Sequence, residues 1–126
     1  MIEPEAFLDF AQNLFDNLNN DHDCIEVRNC ISRSYYYIFH LGREKYQDDK
    51  RAKFNQFANT YDHTILINFF NDINHKDIAD RLSQFRRNRN YSDYRLDYNL
   101  KKSVADRWLR TAKTLATRIN NISAQI

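Results

Sequence analysis

The sequence contains very little glycine and proline, with one of each in 126 residues. Average usage would supply about nine glycines and six prolines. Because tight turns and hairpins depend on these residues, their scarcity argues against a β-rich fold and favours helix. The sequence also lacks a hydrophobic run long enough to span a bilayer, and its N-terminus lacks the basic and apolar regions of a signal peptide. We therefore expect a cytoplasmic protein that does not enter a membrane.

Cysteine is scarce as well. Cys24 and Cys30 are the two cysteines of the chain. On one helix they would be separated by a rise of about 9 Å and would lie on different faces, which excludes a disulfide between them. We expect two buried thiols in a reducing compartment. A chain of this length, with 42% hydrophobic residues, is the size of one ordinary domain, so residues 1–126 are expected to form a single domain.

Basic residues are absent from the first part of the chain. Residues 1–27 hold seven acidic and no basic side chains, whereas residues 81–126 hold eleven basic and three acidic side chains, a net charge of +8. This asymmetry suits a polyanion site, or head-to-tail contacts between copies of the chain. Charge alone does not separate the two.

Apolar residues recur at helical spacing along most of the chain. The pattern predicts helices over about residues 4–19, from about Cys24 to Tyr46, over 66–73 with Asn74 at the end, over 77–88, and from Val104 to Ile122. Between them lie a weaker helical pattern over 54–61, a break near 60–63 with Asp62 as the next N-cap, and a polar, non-helical stretch over 90–98. The expected fold is all-α, a four- to five-helix up-and-down bundle.

The first candidate site lies on the long second helix. Arg33, Tyr36 or Tyr37, and His40 are spaced i, i+3/4, i+7, which places a cation, a phenol and an imidazole on one face, away from the core face. The competing interpretation is that the tyrosines pack in the core with satisfied hydroxyls, and that His40 is an ordinary surface or core histidine.

The second candidate site follows the stripe Ile78, Leu82 and Phe85. The next position on that face is Arg89, so a cation occupies a predicted core position. Arginine can make bidentate hydrogen bonds to phosphate, and tyrosine can stack on unpaired bases. Asn or Asp can orient these groups or contact the edge of a base. Alternatively, Arg89 pairs with Asp93 and only ends the helix. The candidate residues around Arg89 are Arg86, Asn90, Asp93 and Tyr94.

Other catalytic patterns are missing from the sequence. It has no glycine-rich phosphate loop, no nucleophile elbow, no Cys-x-x-Cys pair and no His-Glu-x-x-His pair. The four histidines are scattered, and no two have i, i+4 spacing. We expect neither a metal site nor a cofactor.

Together the two candidate sites resemble the motifs of the HEPN superfamily of small prokaryotic helical bundles. Its members often carry Ser-Arg-x-Tyr-Tyr-x-x-Phe-His on one helix and Arg-Asn-x-x-Asp-Tyr later in the chain. Here residues 32–40 are Ser-Arg-Ser-Tyr-Tyr-Tyr-Ile-Phe-His, and residues 89–94 are Arg-Asn-Tyr-Ser-Asp-Tyr. The resemblance covers about residues 5–120. It implies a homodimer in a toxin–antitoxin or antiviral defence module. Such proteins often occur beside a nucleotidyltransferase partner that can act as the antitoxin. In some members this partner modifies a tyrosine, and Tyr94 is the nearest analogue here.

Many members of that superfamily are metal-independent ribonucleases whose active motif is an Arg followed, four to six residues later, by a His. In this chain no histidine follows Arg86, Arg87 or Arg89. The first hypothesis is a HEPN-like protein that binds RNA or a nucleotide through the two candidate sites. If it cleaves RNA, Arg33, His40 and Arg89 are the candidate catalytic residues and Tyr36 contributes to binding. The second is a non-enzymatic helical module that dimerises or binds a protein partner.

Overall fold

The computed structural model describes residues 1–52 and 63–123, and within these ranges it contains five α-helices and no strand. The helices are α1 (Glu5–Asp16), α2 (Ile25–Gln47), α3 (His63–Asp72), α4 (Lys76–Tyr94) and α5 (Lys102–Asn120). The predicted all-α up-and-down bundle is confirmed. The long helix α2 contacts each of the other four helices and forms the centre of the bundle. No described helix combines the length and apolar character that crossing a membrane requires.

Most predicted helix boundaries agree with the structure to within a few residues. Helix α1 ends at Asp16 rather than residue 19, and the Asn17 side chain donates hydrogen bonds to the carbonyl oxygen (2.8 Å) and side-chain oxygen (3.0 Å) of Asn13. After α3, Asn74 adopts the left-handed conformation (φ 67°), which agrees with its predicted role in ending this helical run. The predicted pattern over 54–61, the Asp62 cap and the break near 60–63 lie outside the described residues.

Helix α4 differs most from the sequence prediction. It continues through residues 90–94, which were expected to be non-helical, and ends at Tyr94. The last turn is stabilised by Arg28 of α2, whose guanidinium group donates to the carbonyl oxygens of Tyr91 (3.2 Å), Ser92 (3.3 Å) and Arg95 (3.1 Å). A cation at a helix C-terminus also complements the helix dipole. These contacts hold a polar sequence in a helix that its own apolar pattern does not predict.

Three aromatic side chains from three helices meet in the core. The rings of Phe85 on α4 and Trp108 on α5 stack at 4.6 Å, and Phe85 meets Tyr35 on α2 edge to face at 5.6 Å. All three side chains are buried. Large aromatic side chains bury much apolar surface, so this contact fixes how α4 and α5 pack on α2.

The one glycine of the chain allows a close helix contact. A Cβ atom at Gly42 would lie 2.9 Å from a Leu66 methyl group of α3, closer than real side chains approach. Gly42 therefore lets α2 and α3 approach each other.

Both cysteines are free thiols. Cys30 is buried, and burial raises the pKa of its thiol to about 11. Cys24 is only half-buried, so the expectation of two buried thiols is right for Cys30 and wrong for Cys24.

Candidate functional site

The predicted face of α2 lines an open cavity. Arg33, Tyr36 and His40, together with Phe7 of α1, enclose a space of about 280 Å³, which we call the central cavity. All four side chains are half-buried, so each presents part of its surface to the cavity. Tyr37, the alternative to Tyr36 in the sequence prediction, is buried in the core instead. Tyr36 is therefore the phenol that belongs to this face.

The side chain of Phe7 holds His40 in place. Their rings stack with centroids 5.0 Å apart and an interplanar angle of 26°. Burial lowers the pKa of His40 below its ordinary value, and the positive charge of Arg43 lowers it further. An imidazole in this environment is neutral at pH 7 and can accept a proton.

No described carboxylate lies within ion-pairing distance of Arg33. Arg33 forms part of the wall of the central cavity, together with Tyr36 and Phe7. An arginine of this kind retains its full hydrogen-bonding capacity for an incoming anion. The central cavity thus combines a cation, a neutral imidazole and aromatic surface.

Arg89 of α4 connects the second motif to the first. As the helical spacing predicts, it points into the bundle, and only 7% of the residue is exposed. Its guanidinium carbon lies 5.5 Å from the ring centroids of both Tyr35 and Tyr36, within cation–π range. Tyr36 therefore contacts both the central cavity and Arg89.

The ion pair between Arg89 and Asp93 is present, with the guanidinium nitrogen 3.3 Å from the carboxylate oxygen. However, Arg89 does not end the helix as the simpler interpretation expected, since α4 continues to Tyr94. Within residues 1–52 and 63–123, the buried Nε atom of Arg89 finds no hydrogen-bond partner. A buried donor without a partner is costly, so Arg89 is not explained by folding energetics alone.

Arg86 lies near the same tyrosines. Burial raises the pKa of Tyr35, and the positive charges of Arg89 and Arg86 oppose that increase, which places both cations near its phenol. The hydroxyl of Tyr35 forms a hydrogen bond with Nδ1 of His63, and the buried Nε atom of Arg86 has no hydrogen-bond partner among the described residues. Two cations, Arg86 and Arg89, therefore lie near Tyr35, and within the described part of the chain Arg89 pairs with Asp93.

Two predicted binding residues are not part of this cluster. Tyr94 is 72% exposed, and Asn90 is half-buried with no side-chain hydrogen bond to another described residue. Both stand on the last turns of α4, next to Arg89 and Asp93 in the sequence. The structure thus groups Arg33, Tyr36 and His40 on one side and Arg86, Arg89 and Asp93 on the other, joined at Tyr36.

The roles of two residues were not evident from the amino-acid sequence. Phe7 has the spacing of a core residue, yet it lines the central cavity. Arg28 donates to both oxygens of Asp23 (2.9 and 2.7 Å) and to the carbonyl oxygen of Tyr98 (2.7 Å), in addition to the end of α4. Because most of these acceptors lie more than 60 positions away in the chain, no local sequence signal identifies Arg28.

Across residues 1–52 and 63–123, no three His, Cys, Asp or Glu side chains come together in a group that could hold a metal ion. The functional groups of the candidate site are guanidinium, imidazole and aromatic side chains. No protein-family model matches the chain, and neither does any curated protein.

Proposed function

We propose that this protein binds RNA or a nucleotide in the central cavity, with Arg89 and Asp93 as supporting groups behind Tyr36. The observation that carries the proposal is the position of Arg33, which has no carboxylate partner among the described residues and lies in the wall of a cavity otherwise lined by Phe7, Tyr36 and His40. Guanidinium groups bind phosphate, and aromatic faces stack on bases. The volume of about 280 Å³ is near the lower limit of small-ligand sites, which suits one nucleotide unit.

Cleavage of RNA without a metal is the reaction that these groups could support. The 2′-hydroxyl oxygen would attack the adjacent phosphorus while its proton passes to His40. The bond from phosphorus to the 5′ oxygen then breaks, and that oxygen takes a proton from water, leaving a 2′,3′-cyclic phosphate and a 5′-hydroxyl end. Arg33 would stabilise the negative charge that develops on the phosphate oxygens. The low pKa of His40 favours its role as the base at neutral pH.

The biological setting proposed here follows from the motif resemblance. A HEPN-like protein in a toxin–antitoxin or defence module would act as a homodimer and would be controlled by a partner such as a nucleotidyltransferase. The Ser-Arg-Ser-Tyr-Tyr-Tyr-Ile-Phe-His and Arg-Asn-Tyr-Ser-Asp-Tyr segments support this proposal. Co-purification of the untagged chain with a tagged nucleotidyltransferase from the same genome would test the partner.

Binding is tested by fluorescence anisotropy with a labelled single-stranded RNA over a range of salt concentrations. We expect Arg33→Gln to weaken binding about tenfold and to reduce its salt dependence by one phosphate contact. Arg87→Gln is the matched control, because it removes the same charge from an exposed position on α4. Equal effects of the two substitutions would contradict a specific role for Arg33.

Cleavage is tested separately, by incubating cellular RNA with the protein in EDTA and separating the products on a denaturing gel. The wild-type protein should produce fragments ending in 2′,3′-cyclic phosphate, and His40→Ala should not. Cleavage retained in His40→Ala would rule out this mechanism. Binding without cleavage by the wild-type protein would identify a non-cleaving RNA-binding module.

A second function is supported by the exposed apolar side chains of the N-terminal region. Ile2 is 75% and Phe10 is 52% exposed, and the first 27 residues carry no basic side chain. A non-enzymatic module that dimerises or binds a protein partner would use such a surface. Dimerisation that is insensitive to salt, in a protein that fails to bind RNA, would favour this function over the first.

A further inference from the structure

Three cavities follow one another along the side of α2 that faces α1, and Phe7 contributes to all of them. The first, which we call the apolar cavity, has a volume of about 300 Å³ and is lined by Ile2, Ala6, Phe7, Phe10 and Arg33. It adjoins the central cavity, with which it shares Arg33 as well as Phe7. The third, which we call the polar cavity, has a volume of about 390 Å³ and is lined by Ile2, Pro4, Phe7, His40, Arg43, Glu44 and Gln47.

Neighbouring cavities have walls in common, so together they form one groove. Besides Phe7, Arg33 lines both the apolar and the central cavity, and His40 lines both the central and the polar cavity. Ile2 lines both the apolar and the polar cavity. From Arg33 to Arg43 the helix rises about 15 Å. That length exceeds what one phosphate group can bridge, so a ligand that contacts both arginines must be extended.

We propose that this groove binds two consecutive nucleotides of a single strand. One base occupies the apolar cavity, the connecting phosphodiester lies against Arg33 and His40 in the central cavity, and the next base occupies the polar cavity. The inference rests on the proposed function and deepens it, because it makes the ligand a strand of at least dinucleotide length instead of a free mononucleotide.

The apolar cavity has the chemistry of a stacking site. Phe10 and Ile2 are well exposed, so their apolar surfaces are available to cover a flat base. Stacking on an aromatic side chain tolerates any base, because every base has a π face. This end of the groove should therefore contribute affinity without strong sequence preference.

The polar cavity should instead distinguish bases. Burial raises the pKa of Glu44, and the nearby carboxylates of Glu3, Glu5 and Asp48 raise it further. A second phosphate would be repelled by this acidic environment. A base with an exocyclic amino group can donate to the Glu44 carboxylate and bond to the Gln47 amide, while Arg43 offers a planar surface for stacking. Adenine or cytosine should bind here better than uracil.

Isothermal titration calorimetry with the full chain tests the inference, using ApA, UpU and AMP as titrants. We expect ApA to bind about tenfold or more tightly than AMP, since a second base adds a stacking contact, and more tightly than UpU. Equal affinities of AMP and ApA would overturn the inference and leave nucleotide binding intact. Failure of all three titrants, and of longer RNA, would overturn the proposed function as well.

Two substitutions at exposed positions locate the ligand without disturbing the core. We expect Phe10→Ala to weaken ApA binding about fivefold or more through lost stacking. Gln47→Ala should narrow the difference between ApA and UpU. The matched controls are Leu96→Ala and Gln84→Ala, which remove an exposed apolar and an exposed amide side chain away from the groove. If Phe10→Ala changes ApA binding no more than Leu96→Ala does, the proposed groove is wrong.

Discussion

The guanidinium carbon of Arg89 lies 5.5 Å from the ring centroid of Tyr36, so the helix α4 motif contacts the helix α2 motif directly. Arg89 is almost fully buried and pairs with the carboxylate of Asp93. In the part of the chain that the structure describes, its Nε atom has no hydrogen-bond partner. A buried cation with incomplete partners contributes little to stability compared with an apolar side chain of similar size. Folding energetics alone therefore do not explain the buried position of Arg89.

The first prediction concerns Arg89→Met. We expect the free energy of unfolding to stay unchanged or to rise by about 1–2 kcal/mol, since the substitution removes the cost of burying the charge. Affinity for single-stranded RNA should fall. Chemical denaturation measures the first quantity and fluorescence anisotropy the second, with Arg87→Met as the control at an exposed position. A marked loss of stability in Arg89→Met would show that Arg89 is a structural residue.

The second prediction concerns Arg28, which is 6% exposed and holds the end of α4. Arg28→Met should lower the free energy of unfolding by about 2–4 kcal/mol, because several buried hydrogen-bond acceptors lose their donor at once. The last turn of α4 should also fray, which faster amide hydrogen exchange at residues 92–95 would reveal.

A suitable control for Arg28 is Arg95→Met. Arg95 forms its ion pair with Asp97 at the surface, where such pairs contribute little. Hydrogen exchange at residues 92–95 should not change in this variant. If Arg28→Met left the protection of these amides unaltered, Arg28 could not be the residue that extends α4.

The third prediction concerns acid stability. The hydrogen bond from Arg28 lowers the pKa of Asp23 in the folded state. As the pH falls, the Asp23 carboxylate is therefore protonated in the unfolded chain before it is protonated in the folded protein. The stabilisation from Asp23 is complete above the unfolded pKa of about 4. It is lost as the pH drops through the lower pKa of the folded state. Asp23→Asn should weaken this part of the acid dependence in urea denaturation series. An unchanged profile would contradict the prediction.

Local patterns in the sequence predicted the helices and one face of the site. The spacing of Arg33, Tyr36 and His40 predicted their common face, and the stripe from Ile78 to Phe85 predicted that Arg89 points inward. Both predictions are confirmed because helical periodicity depends on geometry within a single element.

The sequence failed where the cause lies far away along the chain. The extension of α4 to Tyr94 depends on Arg28, and the central cavity depends on Phe7, a residue of another helix. Phe7 has the spacing of a core residue, and nothing in its neighbourhood marks it as a cavity wall. Contacts between helices decide these features, and periodicity carries no information about them.

The last prediction concerns the titration of His40. Its pKa lies below the ordinary value of about 6.5, because burial and the charge of Arg43 both disfavour the imidazolium form. The unfolded chain binds this proton more readily, so the stability contributed by neutral His40 should decrease as the pH falls below about 6.5.

Titration of the imidazole signals by nuclear magnetic resonance measures the pKa of His40 directly, and Arg43→Gln should raise this pKa. Inorganic phosphate bound beside Arg33 should also raise it, since an anion stabilises the imidazolium. A pKa at or above 6.5 in the free protein would contradict the stated environment of His40.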